Sequence, residues 1–351
     1  MNKARIGVIG AGWWATEFHI PNLKKRDDVE LVSVCKLESD QLKFVKDKFG
    51  FQHASTDFVE MLNMAPLDGV VIASPHHAHF NNAMACLDKG LHILVEKPMT
   101  TNSKDAEILV NKAKEKNLEI LCPNGFNFTD FMNAAEKMIN EGRVGQIKHI
   151  DASFSSSLVD LFQGIPLSES NEHTYQPLSS TWSDPSKAGG YGWGQLSHMF
   201  AGVYKITKLN PIKAFCFSLP SPTGVDYTDA ASIKFEGGVT GSFSGSAFVP
   251  KDYGGGFNIR VHGDKGTLYL DTEIKRERLL LRGMDGNNID YEIQEGQGTM
   301  AYSTEEPINT FVDICLGKEY TNHGDAITSL KVIKTLDAMY RSMNSEKVEI
   351  I

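Results

Sequence analysis

Gly10, Gly12 and Ala15 carry the most specific chemical signal in the chain. They sit in the run Gly10-Ala11-Gly12-Trp13-Trp14-Ala15, a G-x-G-x-x-A spacing. That spacing suits the grip of a dinucleotide's diphosphate. Gly10 permits a tight backbone turn, and Gly12 leaves room for a pyrophosphate to approach the main chain. Ala15 is small enough for a helix to pack close on a strand. The free N–H groups of the helix start, at Trp13 and Trp14, then face the phosphates. Short glycine runs also occur in ordinary loops. Here Ala4–Ile9 reads as a buried strand before the turn and a helix follows it, which is the context the motif requires.

The choice of dinucleotide falls to the end of the second strand. An acid there accepts hydrogen bonds from the adenosine ribose and repels a 2′-phosphate. The chain reads Val34-Cys35-Lys36-Leu37-Glu38-Ser39, with Lys36 in the acid's usual place. A cation there, with Ser39 adding a hydrogen bond, favours NADP(H) over NAD(H), and Glu38 opposes it. A third candidate cluster is His76, His77 and His79. No carboxylate or cysteine stands at fitting spacing to complete a metal site, so no metal is expected.

These residues need elements to position them. The first third alternates strand and helix. Strands are predicted at Val29–Cys35, Gly69–Ala73, Leu91–Val95 and Leu118–Cys122, and helices at Ser39–Phe49, Ala78–Lys89 and Asn102–Glu115. Gly90 is placed to end the second of these helices, and Asn102 or Ser103 to cap the third. Such alternation makes a doubly wound parallel sheet with ligands beyond the carboxyl ends of its strands. Pro75, Lys97 and Asn124 fall just after such ends. Beyond about Gly125 the pattern changes. A helix over Asp130–Asn140 leads into period-2 segments at Ile147–Ser155, Ile212–Leu219, Ala230–Phe235, Thr240–Phe248, Phe257–Val261 and Thr267–Leu270, which predict an antiparallel sheet. Helices at Ile308–Leu316 and Asp325–Ser342 and a short strand at Lys347–Ile351 follow.

The expected fold is therefore α/β: an N-terminal Rossmann doubly wound parallel sheet over residues 1–124, and a C-terminal α+β domain over 125–351. The second domain has a large, mostly antiparallel open sheet, and the closing helix is free to pack back on the first domain. A sheet with one open face predicts a homodimer or homotetramer. Between the first two strands of the second domain lies a long polar, aromatic stretch, about Ser156–Gly194, of the kind that binds or covers a ligand. Tyr175, Trp182, Tyr191 and Trp193 lie in it. Their ring faces suit stacking on the C–H side of a sugar, or equally pinning the loop down.

Composition narrows the class. At 351 residues the chain is long for one core, so two domains are the prior. A net charge of −9 excludes a nucleic-acid surface, which needs a basic face. The cysteines Cys35, Cys86, Cys122, Cys216 and Cys315 are scattered and odd in number, which reads as reduced thiols in a cytoplasmic protein. No apolar run is long enough for a membrane span or a signal peptide.

The G-x-G-x-x-A start, Ser74-Pro75-His76-His77-Ala78-His79, Glu96-Lys97-Pro98 and the Gly189-Gly190…His198 segment occur in that order. Together with the closing Asp337-Ala338-Met339-Tyr340-Arg341-Ser342 they resemble the glucose–fructose oxidoreductase / inositol dehydrogenase / rhizopine-catabolism family over nearly the whole chain. The resemblance implies a nicotinamide cofactor on the first domain and a sugar or polyol substrate. It implies that Lys97 and His198 converge on the reacting hydroxyl. A histidine suits proton transfer near neutrality, and a lysine near a cationic nicotinamide has its pKa lowered. The resemblance also places Ser74, Pro75, His79, Glu96 and Asn127 at the cofactor, with His79 bracing its loop.

Two departures matter. The family pattern has an aspartate four residues before the histidine and a glycine two before; here those places hold Gly194 and Leu196. The acid that would orient His198 is absent, which leaves Gln195 and Asp184 as substitutes, Gln195 also being able to hydrogen-bond substrate. The arginine that often follows Asn127 is replaced by Phe128-Thr129, which disfavours an anionic substrate. The resulting expectation is an NAD(P)-dependent oxidoreductase acting on a secondary alcohol of a sugar, polyol or glycoside. Its rivals are a redox-neutral lyase, hydrolase or epimerase with tightly bound cofactor, and a non-catalytic nucleotide-sensing regulator.

Overall fold

A computed structural model describes residues 3–253, 255–273, 275–293 and 302–351. They divide into two compact units. The first comprises Met1–Pro123, Pro166–Thr181 and Thr304–Leu330, and the second Asn124–Ile165, Trp182–Ser303 and Lys331–Ile351.

The first unit is built on six parallel strands: β1 (Ala4–Ile9), β2 (Val29–Cys35), β3 (His53–Ser55), β4 (Gly69–Ile72), β5 (His92–Val95) and β6 (Ile120–Leu121). Their order, β3-β2-β1-β4-β5-β6, is that of a dinucleotide-binding doubly wound sheet. Ile6, Val8, Val70, Val71, Ile72, Ile93 and Leu94 are wholly buried, as strands covered by helices on both faces demand. The connecting helices end as their sequences dictate. Gly90 takes φ 77° just past the helix His79–Asp88. The Asn102 side chain accepts from the Asp105 N–H at the start of Ser103–Lys116. The strand β3 and the helix Phe58–Met61 have no counterpart in the sequence reading, because three- and four-residue elements are too short to show a period.

The second unit holds β7 (Ile147–Ser156), β8 (Pro211–Pro220), β9 (Asp226–Phe235), β10 (Thr240–Ser246), β11 (Gly255–Gly263), β12 (Gly266–Asp271), β13 (Arg278–Gly283), β14 (Ile289–Tyr291) and β15 (Glu349–Ile350). They pair in the order β14-β13-β12-β11-β7-β10-β9-β8-β15. Every pairing among the described residues is antiparallel except β7 with β10, which run parallel. A parallel pair requires a crossover, and the chain between β7 and β10 supplies it with a long loop and the helix Ser197–Thr207. Each residue of that helix is buried. On β9 and β10, Ala231, Ile233 and Phe243 point into the core while Ala230, Ser232, Ser242 and Ser244 are exposed, so one sheet face is open. Strand β13 escapes the sequence reading because the run Leu279-Leu280-Leu281 hides its alternation.

Candidate functional site

In the first unit β1 delivers the chain into the glycine turn. Gly10 has φ +86°, and a side chain there would collide with the backbone of Ser74. Its N–H donates to the Cys35 carbonyl at 3.0 Å, which ties the turn to the end of β2. Gly12 differs: a Cβ at that position would meet no protein atom within 4 Å. Protein packing therefore leaves open space above the start of the helix, a cradle of the kind a diphosphate needs. Ala15 is wholly buried against the sheet. Thr16 closes the first turn, its hydroxyl donating to the Gly12 carbonyl at 2.9 Å. Trp13 and Trp14 flank the turn edge to face, 5.3 Å between centroids.

Behind the turn, Ser74 follows β4. Its hydroxyl donates to Asn82 Oδ1 at 2.7 Å, and its carbonyl lies 2.7 Å from His79 Nε2. The other ring nitrogen of His79 lies 2.8 Å from the Pro98 carbonyl. The neutral ring donates to one of these two carbonyls, so His79 is wedged between the loops after β4 and β5 and hydrogen-bonded to one of them. Its burial holds its pKa below the usual histidine range, against the pull of both carbonyls. His76 is buried beside it, 6.0 Å from ring to ring. Among the described residues no three His, Cys, Asp or Glu side chains group as metal ligands.

Glu96 and Lys97 end β5. Glu96 is buried, lies 2.8 Å from His19 Nε2 and accepts from the Lys97 N–H at 3.1 Å. Burial works against its charge, but the bond from His19 and the nearby Lys97 outweigh it, and the carboxyl pKa is lowered. Lys97 is half-buried, and desolvation lowers its ammonium pKa while Glu96 and Cys122 oppose the shift. A lysine so placed hydrogen-bonds a hydroxyl and exchanges a proton nearer neutrality than a surface lysine does.

Lys36 follows β2 and is turned inward, its side chain 11% exposed, where it pairs with Glu38 at 3.0 Å. This bond lowers the Glu38 pKa. The lysine expected to meet a 2′-phosphate thus already carries a carboxylate partner. Ser39 opens the helix Ser39–Phe49 beside them.

In the second unit Asn127 sits in the turn Gly125–Phe128, its amide donating to the Ala201 carbonyl at 3.3 Å. His198 is the second residue of Ser197–Thr207 and is buried. Three rings stand edge-on around it: Tyr302 at 5.2 Å, Phe126 at 6.0 Å and Phe154 at 6.3 Å. Gln195, partly exposed, lies in the wide turn Gly192–Leu196 that leads into this helix.

Several loop residues are engaged by protein partners, and for the aromatics this is the loop-pinning alternative. Tyr191 is fully buried and its hydroxyl donates to the Phe154 carbonyl at 2.9 Å, so its faces are closed to a sugar. Burial pushes its phenol pKa up. Trp193 stacks on Tyr340, with centroids 5.1 Å apart and planes 7° from parallel, which takes one face of its indole. Asp184 caps a local turn: it accepts from the Ser186 N–H at 2.9 Å and pairs with Lys187 at 3.2 Å, so its carboxylate is engaged within its own turn. Trp182 packs against Phe162 and fills the space beside Gly194.

The sequence reading missed a carboxylate under this segment. Asp226, at the start of β9, accepts from the Gly192 N–H at 2.7 Å and from the Tyr340 hydroxyl at 2.6 Å. Tyr340 Oη in turn accepts from the Trp193 N–H at 3.3 Å. Gly190, at φ +101°, must be glycine because a side chain would run into Asp226. Asp229, three residues further along the strand, is buried near Asp226, and neither of its carboxyl oxygens meets a hydrogen-bond donor among the described residues.

A family profile described as "Oxidoreductase family, NAD-binding Rossmann fold" matches residues 4–122. A second, "Oxidoreductase family, C-terminal alpha/beta domain", matches residues 136–350. The scyllo-inositol 2-dehydrogenase (NADP(+)) IolU of Bacillus subtilis is 24% identical over 342 residues, 94% of this chain and 95% of that protein. The myo-inositol 2-dehydrogenase of Thermotoga maritima is 29% identical over 144 residues, 40% of this chain and 42% of its own. Among solved structures, the WlbA dehydrogenase of Bordetella pertussis, in complex with NADH and UDP-GlcNAcA, shares the fold. Its TM-score is 0.78 at 18% identity, covering 100% of this chain and 99% of that one.

Proposed function

Because the chain belongs to the glucose–fructose oxidoreductase / inositol dehydrogenase / rhizopine-catabolism family of NAD(P)-binding oxidoreductases, we propose that it oxidises a secondary alcohol of a sugar, polyol or glycoside, or reduces the matching ketone. The observation that carries this reading is the open cradle at Gly12, set above a helix start and backed by the turn at Gly10. A bound nicotinamide dinucleotide supplies the hydride acceptor or donor. The chain's own residues do the rest. The N–H groups at Trp13 and Trp14 and the small residues Gly10, Gly12 and Ala15 hold the diphosphate. Ser74, Pro75, His79, Glu96 and Asn127 shape its pocket. Lys97, its pKa lowered by desolvation, hydrogen-bonds the reacting hydroxyl. His198 receives the hydroxyl proton during oxidation and returns one during reduction.

Lys36 and Ser39 favour NADP(H) over NAD(H) in this reading, with Glu38 limiting the preference. The open sheet face, bearing Phe217 and Leu219, supports a homodimer or homotetramer. The five cysteines are free thiols, which supports a cytoplasmic site. No helix among the described residues is long and apolar enough to cross a membrane.

The test is calorimetric titration with NADH and NADPH, then a panel of inositols, sugars and glycosides read at the absorbance of the reduced dinucleotide. Tight binding of one dinucleotide and turnover lost in Lys97→Met and His198→Ala support the reading. No binding of either dinucleotide overturns it.

The Trp182 ring beside Gly194, where the family pattern has an acid, favours a second reading. In it the substrate carbon gives up its hydride and regains it after elimination or epimerisation at the neighbouring, acidified C–H. Product or deuterium label formed in deuterated water without accumulation of reduced dinucleotide selects this cycle over net oxidation.

A further inference from the structure

The segment Pro166–Thr181 lies in sequence between two parts of the second unit, yet it packs as part of the first. Three consecutive residues make the attachment. The Trp13 indole N–H donates to His173 Nδ1 at 2.7 Å, with the two rings 21° from parallel. The Thr174 N–H donates to Glu17 Oε1 at 3.0 Å, and Lys48 Nζ donates to the Thr174 hydroxyl at 2.9 Å. The Lys36 ammonium lies over the Tyr175 ring, 4.7 Å from its centroid, and the Tyr175 hydroxyl reaches the Gln41 carbonyl at 3.5 Å.

The anchors fall on two lips. Trp13 and Glu17 belong to the helix start that follows the glycine turn. Lys36, Gln41 and Lys48 belong to the end of β2 and the helix after it. In a doubly wound sheet of this strand order, the diphosphate lies at the first lip and the adenosine ribose at the second. A segment bonded to both lips spans the adenosine half of the crevice.

We propose that His173, Thr174 and Tyr175 form a strap over the adenosine half of the coenzyme, so that the coenzyme is retained between turnovers and leaves only when the strap lets go. This rests on the coenzyme-binding reading given above and adds to it the residues that control exchange. The contacts are few and individually modest: one neutral side-chain hydrogen bond, one bond to a carboxylate, one lysine–hydroxyl bond, one long tyrosine–carbonyl bond and one cation–π contact. Such a strap opens by local release without unfolding the unit beneath it. Tyr175 also helps fix the direction of the Lys36 ammonium. A coenzyme that remains bound is what a closed hydride cycle requires, so slow exchange would favour the redox-neutral reading over net oxidation.

The experiment loads the intact protein with NADPH and, separately, NADH. Free dinucleotide is removed, and the loss of bound reduced-nicotinamide fluorescence is followed after mixing with excess NADP+ or NAD+. Tyr175→Ala and the double variant His173→Ala/Tyr175→Ala release coenzyme ~10-fold faster than wild type or more, a change of the size these contacts allow. Tyr175→Phe, which keeps the ring over Lys36, stays within about two-fold of wild type. Thermal melts check that each variant is folded. If Tyr175→Ala does not fold, Trp13→Phe, which deletes the indole donor to His173 and part of the ring stacked on it, is measured in its place and is expected to speed release as well. Binding with the same release rate in wild type and strap variants overturns the strap and leaves the coenzyme reading standing. Failure of wild type to bind either dinucleotide overturns the coenzyme reading, and the strap with it.

Discussion

Gly194 faces the six-membered ring of Trp182 so closely that a side chain at 194 would run into the indole. The aspartate that the family pattern places at this position has no room here. Glycine and tryptophan therefore exclude an orienting acid jointly, and restoring the acid takes two changes. Gly194→Asp alone overpacks a buried turn and lowers stability by about 1–3 kcal/mol. Gly194→Asp with Trp182→Ala recovers part of that loss. Thermal unfolding of the single and double variants measures the coupling. Equal destabilisation by Gly194→Asp in both backgrounds would sink the claim that the indole is what excludes the acid.

Lys97 gives a prediction of opposite sign for stability and activity. Its native pKa is depressed by desolvation below the ordinary 10.5. Between those two values the unfolded chain binds more protons than the native one, so stability rises with pH across that window. Below the native value the full cost of the enclosed charge is present. Lys97→Met removes that cost, so the variant is more stable than wild type at neutral pH and loses the advantage above about pH 10.5. Activity moves the other way, with kcat/KM falling by about 10²–10⁴, the scale of a lost proton-handling group. Urea melts across pH, paired with steady-state rates, test both halves.

The Lys36–Glu38 pair sets the third expectation. Glu38 holds the ammonium at 3.0 Å, and Tyr175 covers it from the other side. Removing the carboxylate in Glu38→Gln frees the cation for a 2′-phosphate, and NADPH affinity rises by roughly ten-fold or more, the worth of one charged hydrogen bond. Lys36→Asp instead repels the phosphate and accepts from ribose hydroxyls, which shifts preference toward NADH. The ratio of the two dissociation constants, from fluorescence titration, is the readout. A ratio that both variants leave unchanged would place cofactor choice elsewhere.

How far the sequence alone reaches depends on how local each signal is. The strands β1 and β2 and the helix Ser39–Phe49 are legible to the residue, because the strands are rich in β-branched and apolar residues broken only at Arg5, Glu30 and Ser33, and Gly50 stops the helix at φ 83°. The Gly10 turn is legible because its requirement is backbone geometry, which only glycine meets. The roles of Tyr191, Trp193 and Asp184 are not. An aromatic in a long loop has the same local pattern whether it stacks on a ligand or on Tyr340, and only the tertiary partner tells them apart. The loop's length marks it as a binding or covering element, but the Lys36–Tyr175 contact escapes for the same reason: it is made through space, with nothing in its neighbours to announce it. Asp226 and Tyr340 are 114 residues apart and share no periodic pattern.

That last pair sits beside a carboxyl with no hydrogen-bond donor among the described residues, and the contrast yields a pH prediction. Asp226 is satisfied by the Gly192 N–H and the Tyr340 hydroxyl. Asp229 meets no donor: burial first, then the Asp226 charge and a hydrogen bond that only its protonated form can give to Asp226, hold its pKa well above the ordinary 3.8. Cys216, Tyr191 and Tyr340 lie near the same carboxyl, and burial pushes their own pKa values up, so these acids stay neutral and add no charge beside it. The native state therefore keeps a proton on Asp229 that the unfolded chain releases. Stability from this group is complete below about pH 3.8 and is lost as pH rises toward the native value. Asp229→Asn is isosteric and cannot ionise. It should match wild type near pH 3.8 and gain on it steadily toward pH 8, with a melting temperature higher by about 1–2 °C for each kcal/mol gained. Tyr340→Phe serves as the contrast. It leaves Asp226 with one donor fewer and the Trp193 N–H without its acceptor, so it destabilises by about 1–3 kcal/mol at every pH. An Asp229→Asn melting curve that tracks wild type from acid to alkaline conditions would show that the carboxyl is ionised, or solvated, in the native protein.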